Sequence, residues 1–438
     1  MAEISIIPTY NLKVVLKETG IKADTLRAWE RRYGLPHPDR TDGGHRLYSQ
    51  YDIKTIRWLQ ARIDEGLRIN RAVKLWRGIE ESGRDPLLEM PLVDAVREPQ
   101  PFPAVLGASI VDLRNHWVEA CMDFNERQAE YILAQAFASY SVEVVCLDIM
   151  GAGISEIGKR WYQGKSTVQQ EHFASSLIVR RLNTLISAAP APTRSECVLV
   201  ACPPQEDHII SPLMVTLFLR RRGLNVIYLG ANVPIERLDN AIESSESDLV
   251  IMIAQQLFTA ANLLEAARFM EEKNMAFGFG GLVFTLLPEL KQKIPGHYLG
   301  DKLDSAVSVI EDILLRHPSI DSSISVPDKY LKSWKKFTDQ QPQIEAHLRG
   351  VIQRNGMHES HLEIANEYLG LDISAALSLG DMGLLSEEIN WVKFLLKNYA
   401  VPVERLHEYL AHYGKAIELY MEDDGKPILE WLDSVEVS

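Results

Sequence analysis

CVLVACPPQEDHIISPLMVTLFLRRRG occupies residues 197–223. It reads as a short apolar run, a loop of prolines and charges, and an amphipathic stretch stopped by a glycine. The same unit recurs downstream. Apolar runs NVIYLG (225–230), DLVIMI (248–253), AFGFGG (276–281) and HYLG (297–300) alternate with helical segments. Such alternation predicts a parallel, doubly wound α/β sheet, here over 193–318. Loops at the carboxyl ends of parallel strands are where this architecture binds ligands. The first such loop carries Glu206, Asp207 and His208, followed by Ser211, and the fourth run ends in Gly280-Gly281. A neutral imidazole gives one ring nitrogen to a metal while a nearby carboxylate orients the other. His208 is therefore the candidate metal ligand. The two glycines would let a ligand approach the backbone.

Upstream, Ala189-Pro190-Ala191-Pro192 marks a boundary, and residues 107–188 read as four helices. The third runs from about Ser141 through Trp161 and stops near Gly164. The fourth opens with Ser166-Thr167-Val168-Gln169, the S-x-x-Q pattern of a capping box. Trp161 and Tyr162 end one helix, and Glu171-His172 begin the next. A large aromatic and an acid–imidazole pair so placed could cover one face of a flat ligand. Residues 81–106 are proline-rich and aperiodic, a linker. Downstream, 328–438 return to helical periodicity, with Trp334, Trp391 and Trp431 expected in the interior. His358 and His361 share a helix face. The stripe Val403, Leu406, Leu410, Tyr413 and Ile417 suits packing on a partner helix, within this chain or in an oligomer.

The amino-terminal 80 residues are of another kind. Leu26 and Trp29 share one helical stripe, Arg27 and Arg31 another, and Arg32 and Tyr33 lie at the end before Gly34 and Pro36. An anchoring face and a basic face are what a recognition helix requires. Arg40-Thr41-Asp42-Gly43-Gly44-His45-Arg46 follows as a glycine turn with cations at its tip, suited to backbone phosphate. The alternative for individual arginines is an internal pair with Glu30 or Asp39.

Charge supports this division. The 438-residue chain has a formal net charge of −14, yet residues 1–80 hold 15 Lys and Arg against 10 Asp and Glu. The basic head concentrates phosphate attraction, and the acidic remainder opposes general adhesion to DNA. No apolar run approaches the ~20 residues of a membrane span, and the first residues lack a signal-peptide layout, so a cytoplasmic protein is expected. Four cysteines without a CxxC pair suggest reduced, buried thiols.

LRAWERRYGLPHPDRTDGGHRLYSQYDI (26–53) closely resembles the MerR family of winged-helix regulators, over roughly residues 9–78. The resemblance implies that Arg27, Arg31, Arg32, Tyr33, Arg40, His45 and Arg46 contact a duplex operator, and that the protein binds it as a homo-oligomer, a dimer or tetramer. The four-helix bundle followed by an acid-x-His strand end resembles the cobalamin-binding module of methionine synthase. Combined with the head and W-x9-EH, it is similar to the CarH/LitR-type cobalamin-dependent photoreceptor repressors. That likeness implies a multidomain regulator: a winged helix-turn-helix head, a four-helix bundle, a Rossmann-like cobalamin-binding domain, and an extra helical domain at 328–438. It implies His208 as lower axial ligand to cobalt, Glu206 as the acid of the motif, and Trp161, Glu171 and His172 over the upper, adenosyl-bearing face. Three positions depart from the family. Ser211 replaces its usual glycine, Ile253-Ala254-Gln255 lacks the usual hydroxyl of the nucleotide-tail pocket, and Tyr162 stands where light-responsive members carry histidine. Two alternatives follow: the same regulator sensing haem or another tetrapyrrole, and a corrinoid-dependent enzyme component. A DNA-binding head and the absence of an evident substrate barrel speak for a regulator rather than an enzyme.

Overall fold

The computed structural model describes residues 5–41, 43–64, 67–87, 108–318, 325–352, 359–385, 389, 392 and 404–435. Most of the expected linker, together with Trp391, Val403 and His358, lies outside them, as does the side chain of His361. The chain divides into two compact units, Met1–Pro103 and Ala104–Ser438.

The first unit runs β1 (Tyr10–Asn11), α1 (Leu12–Thr19), α2 (Ala23–Tyr33), β2 (Asp39–Arg40), β3 (Arg46–Tyr48), α3 (Gln50–Asp64) and α4 (Ile69–Glu81). Asn11 caps α1 by accepting from the Val14 amide, and Gly34, at φ 66°, ends α2 in the left-handed region. The strands form an antiparallel sheet of order β1-β3-β2. Leu26, Trp29, Tyr48, Ile56 and Trp76 fill its core, so the stripe at Leu26 and Trp29 anchors α2 and leaves Arg27 and Arg31 outside.

The second unit begins with the four-helix segment: α5 (Ile110–Met122), α6 (Glu126–Ser139), α7 (Val142–Val144) continuing through a π-helical stretch (Val145–Gly151) into α8 (Ala152–Tyr162), and α9 (Val168–Ser187). Ser141 caps the third segment, its hydroxyl accepting from the Val144 amide. The capping box of α9 lies one residue further on than the sequence suggests. Thr167 and Gln170 form it, because the Ser166 hydroxyl donates instead to the Ile157 carbonyl, 3.0 Å away.

Five parallel strands follow: β4 (Cys197–Ala201), β5 (Asn225–Gly230), β6 (Leu249–Ile253), β7 (Phe277–Gly280) and β8 (His297–Tyr298), in the order β5-β4-β6-β7-β8. Helices α10 (Ile210–Arg221), α11 (Leu238–Ser245), α12 (Leu257–Glu272), α13 (Leu282–Leu286) and α14 (Leu303–Arg316) connect or follow them. Side chains alternate along the strands. Val198, Val200, Ile251 and Ile253 join a core with α10, α14 and the helical bundle. Leu199, Ala201, Val250 and Met252 face the other way. Burial on both faces explains why the strands read as unbroken apolar runs. Every residue from Pro212 to Leu219 of α10 is buried, since that helix is held between sheet and bundle.

The last helices are α15 (Asp328–Ile352), α16 (Glu359–Ser378), α17 (Glu404–Met421) and α18 (Lys426–Ser434). Their apolar residues, Phe337, Ile344, Ile373, Tyr413 and Ile417 among them, share one core with the second face of the sheet and with α12. The stripe on α17 thus packs within the chain. Trp431 is buried, but Trp334 is 40% exposed and not interior. It lies at the edge of α15, where its indole N–H donates to the Ser374 hydroxyl at 3.1 Å. Among the described residues no helix is long and apolar enough to cross a membrane.

Candidate functional site

The β4–α10 loop turns Glu206 inward and leaves His208 outside. Glu206 is fully buried, and its two oxygens accept four hydrogen bonds. Oε1 accepts from the His208 amide (2.9 Å) and from His208 Nδ1 (2.7 Å). Oε2 accepts from the Gln255 amide (2.6 Å) and the Thr259 hydroxyl (2.7 Å). Burial alone would raise the carboxyl's pKa, but the bonds from His208, Thr259 and Gln255 outweigh it and hold it below the usual range. An ionised carboxylate only accepts, so Nδ1 carries the proton and the lone pair resides on Nε2. The His208 side chain is 59% exposed, which leaves Nε2 open to a metal. Its pKa is raised, first by the hydrogen bond to Glu206, against burial, with added fields from Glu206, Glu171 and Asp207.

Glu171 belongs to α9 of the bundle, and its field is among the smaller contributions that raise the His208 pKa. Glu171 also accepts from His172 Nδ1 at 2.7 Å, and the His172 side chain is 72% exposed. Trp161 is half-buried, its ring 5.2 Å from that of the exposed Tyr162. Asp207 is exposed, and Ser211 is half-buried in the first turn of α10.

Sequence reading missed Thr259. Its hydroxyl completes the carboxylate's coordination from 53 residues away, in the first turn of α12 rather than at the strand end where a hydroxyl was sought. The capping contact between Thr259 and the Gln256 amide (3.2 Å) was the available local signal. Gly281 has a different explanation from the one anticipated. At φ 128°, a Cβ there would lie 1.7 Å from the Ala254 carbonyl oxygen, so the close neighbour is the chain's own backbone. Gln255 Oε1 accepts from the Leu282 amide at 3.0 Å and ties the ends of β6 and β7 together.

In the head, Arg31, Arg32 and His45 are exposed, and Tyr33 is half-buried. Arg27 lies 3.6 Å from Asp24 on the same exposed face. Arg40 Nη1 donates to the Gly44 carbonyl at 3.4 Å, across the turn. Arg46 is committed differently. Its Nε donates to Glu30 Oε2 at 2.8 Å, and the Tyr48 hydroxyl donates to Oε1 at 2.6 Å. These bonds brace the wing against α2.

A model of the MerR HTH family regulatory protein matches residues 10–78, and a model of the B12 binding domain matches residues 113–186. The chain is 32% identical over 249 residues to the HTH-type transcriptional repressor CarH of Myxococcus xanthus, covering 55% of this chain and 77% of that protein. With the repressor CarA of the same organism it shares 31% over 247 residues, 56% and 76% of the two chains. The regulator MlrA of Escherichia coli (strain K12) is 46% identical over 66 residues, 15% of this chain and 27% of MlrA. Among solved structures, the monomethylamine corrinoid protein of Methanosarcina barkeri aligns with a TM-score of 0.41 at 13% identity, over 47% of this chain and 100% of that one.

Proposed function

The chain belongs to the family of the HTH-type transcriptional repressors CarH and CarA, and from that premise we propose that it is a cobalamin-binding, DNA-binding transcriptional regulator, not an enzyme, with His208 as the axial ligand. The observation that carries the ligand assignment is the buried Glu206, which fixes the His208 tautomer and leaves Nε2 exposed. The donor set fits: an oriented imidazole is a strong ligand for cobalt or iron. When bound, the macrocycle would supply a metal centre whose ligand state can change. His208 would hold the metal through Nε2, and Trp161, Tyr162, Glu171 and His172 of the bundle would cover the macrocycle. Asp207, Ser211, Gly280 and Gly281 border the site.

The operator is double-stranded DNA, contacted by Arg27, Arg31, Arg32 and Tyr33 of α2 and by Arg40 and His45 of the wing, which Arg46 braces against α2 through Glu30. Two heads in a homo-oligomer would engage a pseudo-palindromic site, and ligand state, with light as one candidate signal, would set the assembly and thus DNA affinity. Absorption spectra of the protein with adenosylcobalamin and hydroxocobalamin test the ligand. Wild type should show an imidazole-ligated cobalt spectrum that His208→Ala lacks, and identical spectra would remove His208 from the site.

A second reading, haem or another tetrapyrrole without a nucleotide tail, draws on the closed junction of Ala254, Gln255 and Gly281 at the end of β6. Titration with haemin separates it: a His208-dependent Soret shift without any cobalamin spectrum would favour it.

A further inference from the structure

The β4–α10 loop has a second side. Gln205, three residues before His208, lines a cavity of about 360 Å3 together with Gln341, Glu345 and Arg349 of α15 and Asn366 and Glu367 of α16. Gln205 is held rigidly. Its backbone is at φ 66°, its amide donates to Asn232 Oδ1 (2.8 Å), and its side-chain oxygen accepts from Asn262 Nδ2 (3.1 Å). Across the cavity, Glu345 accepts from Gln341 Nε2 at 2.9 Å. Asn366 is 3% exposed; its oxygen accepts from the Tyr409 hydroxyl at 2.7 Å, while its Nδ2 has no partner among the described residues.

The lining holds three carboxamides, two carboxylates and one guanidinium. Such a set accepts N–H donors at Glu345 and Glu367 and offers donors to a C=O at Arg349. A primary carboxamide presents both groups. A carboxylate presents only acceptors and meets two like charges against one cation.

We propose that this cleft is a specificity pocket for the carboxamide side chains at the edge of a corrin, by which the carboxyl-terminal helices select an amidated corrinoid over a tetrapyrrole bearing carboxylates. The inference rests on the reading that a corrinoid metal is ligated by His208. Three residues of chain span at most roughly 11 Å, which keeps the cleft in the neighbourhood of that ligand.

The test uses the full chain and two tail-free probes: cobinamide, whose periphery is carboxamide, and cobyrinic acid, which carries carboxylates in their place. Spectral titration gives a Kd for each. Wild type should prefer cobinamide by about tenfold or more, the scale of one good polar contact. Glu367→Gln, on an exposed side chain, and the double variant Glu345→Gln/Glu367→Gln should narrow that preference stepwise, mainly by admitting cobyrinic acid. Melting curves show whether each variant is folded, and the single variant serves if the double one is not. Equal affinities in wild type, or a preference untouched by the substitutions, would overturn the specificity pocket alone. Failure of wild type to bind either probe, with His208→Ala indistinguishable from it, would instead overturn the underlying reading.

Discussion

Glu206 is the residue on which the site turns, because four donors converge on a carboxylate with no access to water. Thr259→Val preserves shape and removes one donor. It should cost about 1–3 kcal/mol of stability, the penalty of leaving a buried acceptor short. It should also weaken cobalamin binding roughly 10–100-fold, as loss of an orienting partner does. A Thr259→Val protein with unchanged melting and affinity would show that the contact is incidental. The pH response follows from His208, whose pKa lies above its ordinary 6.5. A folded-state pKa raised above the unfolded value stabilises the apo protein below about 6.5, and the contribution disappears as pH rises through the folded value. Ligation at Nε2 has the opposite sign, since it must expel that proton. Cobalamin affinity should therefore fall roughly tenfold per pH unit below the raised pKa and level off above it. Calorimetry in buffers of different ionisation enthalpy would count the released proton, and a count of zero on the acid side contradicts the assignment.

The wing, taken as an element, is a strap rather than a free cationic finger. Arg46, Tyr48 and Glu30 link β3 to α2, and the Glu30 side chain is only 10% exposed. Burial, then the bond to Glu30, pushes the Tyr48 phenol well above its usual pKa and keeps it a donor. Arg46→Ala should lower the melting stability of the head by about 1 kcal/mol, discounted because the Arg46 side chain is partly exposed. Arg31→Ala, on the exposed face of α2, should leave melting unchanged and reduce the salt slope of DNA binding by about 1. Operator titrations across salt concentrations, beside thermal melts, distinguish the two; an Arg31→Ala head with wild-type slope would exclude a phosphate contact there. In the bundle, Gly153 is dictated by packing: a Cβ would lie 2.7 Å from the Trp117 ring. Gly153→Ala should destabilise the second unit by ~1–3 kcal/mol through overpacking, measured by chemical denaturation.

On the scale of the molecule, the carboxyl-terminal helices are a wall of the sheet domain, not an appendage. Truncation after residue 324 would expose the apolar face of α12 on which α16 packs. A patch of that kind drives association, so the truncated chain should aggregate while the full chain stays dispersed. A truncated protein that remains monodisperse in light scattering would show that the wall is dispensable. Much of this plan was legible in residue order. The strand–helix alternation from 197 onward, the division of α2 into anchoring and basic faces, and the acid-x-His loop each depend on neighbours a few residues apart. Periodicity, glycine and proline placement encode such features directly. Thr259 reaching Glu206 over 53 residues, Gly281 pressed against Ala254, and Arg46 drawn to Glu30 are not encoded that way. Nor is the cleft in which Gln205 meets α15 and α16. A one-dimensional pattern shows which face of an element is apolar, but only close packing of distant elements decides which polar side chains that burial forces into contact.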